Sequence, residues 1–164
     1  MVVGIFDFSG AFSIKMKLTN AARDAARAAA ADPATDLGSG GTPASVIDAF
    51  QVADTYLTTN NLNDCGITVA NLEAGSGTTA LTWTASAGGG TCPPNPGMTQ
   101  ISINRGFVST ASIGKTPTRV IQTQVTIQYS YSWHFDRVIS LLVSGTTYAA
   151  VTTLTATATA MNEN

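Results

Sequence analysis

Apolar and polar residues follow two regimes along this chain, helical spacing as far as Asn60 and strict alternation beyond it. The first 31 residues hold no proline and become alanine-rich before Asp32-Pro33, a pair that opposes further helix. They predict one long helix, about 45 Å at 1.5 Å per residue, of which part is expected to project from a small domain. Its halves differ. Val2, Val3, Ile5, Phe6, Phe8, Phe12 and Ile14 surround the first half with apolar groups, whereas Lys15, Lys17, Asn20, Arg23, Asp24 and Arg27 make the second half amphipathic.

Residues 33–42 read as a flexible link. A second helix is expected to start with Thr42 as N-cap and Pro43 at the first helical position, or one turn later with Ser45 and Asp48 as a capping box. Val46, Ile47, Phe50, Ala53 and Leu57 recur at helical spacing within it. Beyond Asn60, residues 67–72 form a short candidate strand. Residues 79–85 form another, with Leu81, Trp83 and Ala85 on one face and residues 73–77 as the hairpin connection. The Gly/Pro-rich stretch 88–97 reads as a loop. Ile101 and Ile103 alternate with Ser102 and Asn104, and Asn104-Arg105-Gly106 is expected to interrupt or turn that strand. Residues 107–113 read as a further strand or a surface excursion.

The clearest strand is 120–131, with Ile121, Val125, Ile127, Tyr129 and Tyr131 opposite Gln122, Gln124, Thr126, Gln128 and Ser130. A last strand over 148–161 sets Tyr148, Ala150, Leu154, Ala156, Ala158 and Ala160 against Thr153, Thr155, Thr157 and Thr159, with small inward residues that let a helix approach closely. Residues 133–143 between them read as a short helix or hydrophobic loop. Helices first and strands after predict an α+β fold, a long N-terminal helix and a second helix packed on an antiparallel sheet. Two units are expected, residues 1–31 as a projecting helix and residues 32–164 as the head.

Composition narrows the chemistry. The chain has 164 residues, enough for one modest core, and only 11% are charged against roughly 25% in ordinary soluble domains. Thr, Ser, Asn and Gln must therefore cover much of the surface, which argues against an ordinary cytosolic enzyme. With 8 Lys+Arg against 10 Asp+Glu and no dense basic run, nucleic acid is not an expected partner. Cys65 and Cys92 lie far apart, with no CxxC and one histidine, so a Cys/His metal site lacks ligands. A disulfide is preferred over two separate thiols, and it implies an oxidising compartment.

No cofactor is expected. His134 with Asp136 is the best catalytic pairing the chain offers, yet no G-x-S-x-G elbow supplies a nucleophile, and packing is the favoured role. The glycines at 38, 40, 41 and 88–90 lack the G-x-x-x-x-G-K-[ST] spacing of a phosphate loop. The apolar run 2–14 falls short of the roughly 20 residues that cross a bilayer and holds Asp7, so it is at most the end of a span. Two roles stay open for it: packing on lipid or other helices, or burial in the domain's own core. Asp7 either sets register in a helical assembly or lies at the surface, and Arg23, Asp24 and Arg27 form a solvated or docking face.

The strings Gly4-Ile5-Phe6-Asp7-Phe8-Ser9-Gly10 and Leu18-Thr19-Asn20-Ala21-Ala22-Arg23-Asp24-Ala25-Ala26-Arg27 closely resemble the TadE/TadG-like family of pilus assembly proteins. Asp7 and Phe8 stand where that family has Glu and an aromatic, Ser9 precedes Gly10, and Ala25 replaces a usual Gly. The resemblance implies a pilin-like α+β fold and a noncatalytic minor pilin or pseudopilin of a tight-adherence, type IV-like pilus that contributes to surface attachment. It makes Ile5, Asp7, Phe8, Phe12, Asn20, Arg23 and Arg27 the assembly helix. The implied partners are other pilin or pseudopilin subunits, and membrane lipid before assembly. The implied location is the inner membrane with a periplasmic head, then the extracellular pilus. By analogy a processing site and the first half of a membrane helix would lie ahead of Met1. The alternative is a secreted ligand-binding module with a disulfide-stapled, β-rich head.

Overall fold

The computed structural model describes residues 2–38, 41–89, 92, 97–113, 116–133 and 151–162, with side chains described except at 2–6, 34, 79, 111–113 and 116–118. Helix α1 spans Val2–Ala31 and stops ahead of Pro33. A 3-10 turn, Ala34–Gly38, then occupies half of the expected flexible link. It serves the next helix, α2 (Ala44–Thr59), because Asp36 Oδ2 accepts the Ser45 N–H at 2.9 Å. Pro43, expected inside the helix, is its N-cap residue and has no side chain to cap with; its carbonyl accepts from Val46 and Ile47 at 3.1 Å. Neither the Thr42 cap nor the Ser45/Asp48 box is the capping interaction seen, since a carboxylate from the preceding turn fills the place.

The short connection sends α2 back beside α1. Lys17 Nζ donates to the Asn60 carbonyl at 3.1 Å, placing a cation at the C-terminal end of α2 where the helix dipole favours it. Asp64–Ile67 then forms a tight turn, with Cys65 at φ 60° and Gly66 at φ 69° and the Ile67 N–H donating to the Asp64 carbonyl at 3.2 Å. Glycine meets that positive φ without steric cost. The expected strand at 67–72 is instead a 3-10 turn, Val69–Asn71, followed by strand β1 at Leu72–Ala74. Asn71 Oδ1 accepts from the Thr68 N–H at 2.8 Å and competes with any ladder there.

Among the described residues the sheet is antiparallel, in the order β1-β2-β3-β4-β5, with β2 at Thr82–Gly89, β3 at Gly97–Ile113, β4 at Thr116–Ser132 and β5 at Val151–Met161. Gly88 and Gly89, expected in a loop, are paired with Met98 and Gly97. A Cβ on Gly88 would meet the Gly97 carbonyl at 2.6 Å, so this close approach requires glycine. Residues 104–106 do not end a strand. They form a β-bulge between Asn104 and Phe107, after which β3 resumes pairing with β4 to Ile113. The remainder of the 88–97 loop apart from Cys92, residues 134–150 with His134 and Asp136, and Lys115 lie outside the described residues.

One face of the sheet holds Trp83, Ala85, Ile101, Ile103, Val125, Ile127 and Ala156, which pack on Leu18, Ala22, Ala25 and Ala29 of α1 and Val46, Phe50 and Leu57 of α2. Alanines on β5 admit the helix closely, as the alternation implies. Ile121 shares their strand face but is 59% exposed, because it lies beyond the end of α1. Among the described residues no helix packs on the opposite face, which is polar. Across it the register aligns Thr84, Ser102, Thr126 and Thr157 in one row, flanked by a row through Gln100 and Gln128 and another through Asn104 and Gln124.

Candidate assembly interface

The interface follows from a mismatch of lengths. Helix α1 has 30 residues and α2 has 16, so among the described residues 14 residues of α1, about 21 Å, have no antiparallel helix beside them. The overhang is the N-terminal part, since Lys17 already meets the end of α2. Among the described residues it is covered on the sheet side alone. There Ala11 is buried, and the Tyr131 hydroxyl donates to the Asp7 backbone carbonyl at 3.2 Å. Burial, and then the Asp7 carboxylate, push the Tyr131 hydroxyl pKa up from its ordinary value. A Cβ on Gly10 would come within 3.0 Å of that same hydroxyl, which explains the small residue facing it.

The solvent side of the overhang carries Phe8, Phe12 and Met16, respectively 72%, 64% and 54% exposed. Spaced i, i+4, i+8, they form one stripe. Trp133 widens it at the upper end, its ring centroid 6.0 Å from that of Phe8 and its Nε1 donating to Thr152 Oγ1 at 2.8 Å. Farther along, Asn20, Arg23 and Arg27 are exposed and prolong the stripe as polar surface. Arg27 and Asp24 approach to 3.9 Å, an exposed i,i+3 pair of little energetic weight. The helix thus presents an apolar upper half and a polar, partly cationic lower half along a line of about 28 Å.

Of the residues singled out in the sequence, Phe8, Phe12, Asn20, Arg23 and Arg27 share this outward line, whereas Asp7, 5% exposed, faces the sheet. Ile5 lies on the helix, with its side chain outside the described set. Met16 was not singled out, although its i+4 spacing from Phe12 signals it. Residues 1–27 match the family model of TadE-like proteins. That segment contains the apolar stripe and its polar continuation. No curated protein and no solved structure matches the chain. Among the described residues no helix is long and apolar enough to cross a membrane.

Away from α1, Cys65 and Cys92 form a disulfide with Cα atoms 5.1 Å apart, tying the turn after α2 to the β2–β3 connection. Arg105 had no signal in the sequence beyond a strand break. It is 1% exposed and inserted from the bulge, with Nη2 donating to the Asp32 carbonyl at 3.0 Å and Nη1 to Thr123 Oγ1 at 3.2 Å. Burial lowers its pKa from the ordinary guanidinium value, opposed by the carboxylates of Asp36 and Asp32. Its role is to hold the end of α1 against the sheet.

Proposed function

We propose that this chain is a noncatalytic minor pilin or pseudopilin of a tight-adherence, type IV-like pilus, anchored at the inner membrane with its head in the periplasm before it enters the extracellular filament. One observation carries the reading: the TadE-like segment exposes Phe8, Phe12 and Met16 on a helical overhang. Burying such a stripe against a neighbouring helix or lipid gains about 25 cal/mol per Å² of apolar area removed from water. Asp7 would have to leave its place under Tyr131 to reach a neighbouring subunit, so the outward stripe is the first contact and Asp7 a later one.

The test is deletion of the native gene in a bacterium that makes tight-adherence pili, followed by shearing and fractionation. The expected result is subunit in the sheared filaments and weaker surface attachment on deletion. Normal piliation and adhesion, with no subunit in the filaments, overturns the reading. A secreted ligand-binding module is the second reading, favoured by the open polar sheet face. It predicts a chain that stays soluble and monomeric with residues 1–31 present.

A further inference from the structure

We infer that the helix-free face of the sheet binds a neutral polysaccharide chain. This goes beyond the filament reading and does not depend on it, because the stripe on α1 and this face lie on opposite sides of the sheet.

Charge selects the partner class. Among the described residues, β2 to β5 place no ionisable side chain on this face; the nearest is Glu73, aligned with Thr84 at the β1 rim. An ionic partner would find no counter-charge on the central strands. An apolar partner would strip water from hydroxyls and amides without replacing their hydrogen bonds, a cost this many groups cannot bear. A polyhydroxylated neutral chain supplies a donor and an acceptor at each hydroxyl and matches both Ser/Thr hydroxyls and Gln/Asn amides. Two copies of the face would instead have to pair fixed groups across two twisted sheets.

Two features make the surface more than solvated sheet. Hydroxyls in the central row are already oriented by one another, Thr84 Oγ1 donating to Ser102 Oγ at 3.2 Å and Thr126 Oγ1 lying 3.1 Å from Thr157 Oγ1, which lowers the ordering cost of binding. The bulge also changes the outer residue from position 106 to Phe107, aligning Phe107, Gln122 and Met161 as the row beyond Asn104 and Gln124. Without the bulge, Phe107 would point to the helix side. An aromatic ring at the end of a hydrogen-bonding grid offers the C–H face of a sugar ring a place to stack. Rows two residues apart and strands about 4.8 Å apart give an area of about 14 by 20 Å, which fits a chain of sugars rather than one.

The experiment uses the purified full-length chain in affinity electrophoresis with starch, dextran and mannan, and in depletion by insoluble cellulose and chitin. Retention by at least one of these, changing less than about twofold when salt rises from about 0.05 to 0.5 M, is the expected result. Thr126→Glu and Phe107→Ser should each weaken it by about tenfold or more. Gln51→Glu, on the exposed side of α2, should leave it unchanged, and thermal melts identify any variant that has simply unfolded. If Thr126→Glu unfolds, Gln128→Ala, expected to weaken retention several-fold, replaces it. Failure of the wild-type chain to bind all five polysaccharides overturns the inference. So does retention indifferent to the folded variants, or self-association lost in Thr126→Glu without any glycan binding. None of these outcomes bears on whether the chain enters filaments.

Discussion

Arg105 shows how one side chain can tie two elements together. A guanidinium at 1% exposure survives because its fork reaches two elements at once, the Asp32 carbonyl after α1 and Thr123 on β4, while Asn162 Nδ2 donates to the Arg105 carbonyl at 3.4 Å. Removing it leaves the Asp32 carbonyl without this donor and a cavity at the bulge. Arg105→Ala is expected to cost about 3 kcal/mol in urea denaturation, and Arg105→Lys about 1 to 2, because an ammonium lacks the planar fork. Equal stability of both variants with the parent would refute the clamp. Asp54 poses the opposite case. Burial, then the neighbouring Asp64 carboxylate and a hydrogen bond with it, raise the Asp54 pKa above its ordinary value. The folded chain therefore holds this proton at pH values where the unfolded chain has released it. This contribution to stability grows as pH falls through the raised folded value, is complete below the ordinary carboxylate value, and is a penalty at pH 7. Asp54→Asn should raise the melting temperature at pH 7, with the advantage shrinking toward acid pH; an advantage that is constant across that range refutes the assignment.

At the scale of elements, the sequence revealed what rests on periodicity. The alternation of β4 and β5, the helical spacing of α2 and the alanine-rich lower half of α1 all appear as elements because each has one buried and one solvated side. Contacts between distant residues had no such signal. The α2 cap comes from Asp36, nine residues before Ser45, and the bulge that keeps β3 whole is supported by the burial of Arg105 against another strand. The exposure of Ile121 depends on where α1 stops, which alternation within β4 does not encode. In the candidate interface, the residue types were legible but the outward direction was not, since an apolar half-helix gives no preferred side until the sheet and α2 take theirs. Two variants probe element packing. Ala156, 2% exposed, lies on the β5 face against α1, and Ala156→Leu should cost about 1 to 3 kcal/mol by forcing helix and strand apart. Replacing Cys65 and Cys92 with serine opens a covalent loop with a sequence separation of 27, for an expected loss of about 3.5 kcal/mol on chain-entropy grounds. Denaturation under oxidising and reducing conditions checks it, since the double variant should match the reduced parent.

For the whole molecule, the two halves of α1 divide stability from association. Leu18 to Ala30 hold the core together, whereas Phe12 and Met16 face outward and are 64% and 54% exposed. Substituting Phe12 and Met16 by serine removes little packing from the isolated chain, so each change should alter unfolding free energy by no more than about 0.5 kcal/mol. If the stripe is covered in a filament, the same pair of changes removes apolar area that only the assembled state buries, about 3 kcal/mol or roughly a hundredfold in subunit affinity. The measurement is paired: melting of the purified double variant, and its amount in sheared filaments from cells carrying it in place of the native gene. An unchanged melt with loss from the filament fraction is expected. A variant that melts early and is lost places the stripe in the fold instead, and one that melts normally and assembles normally removes the stripe from assembly altogether.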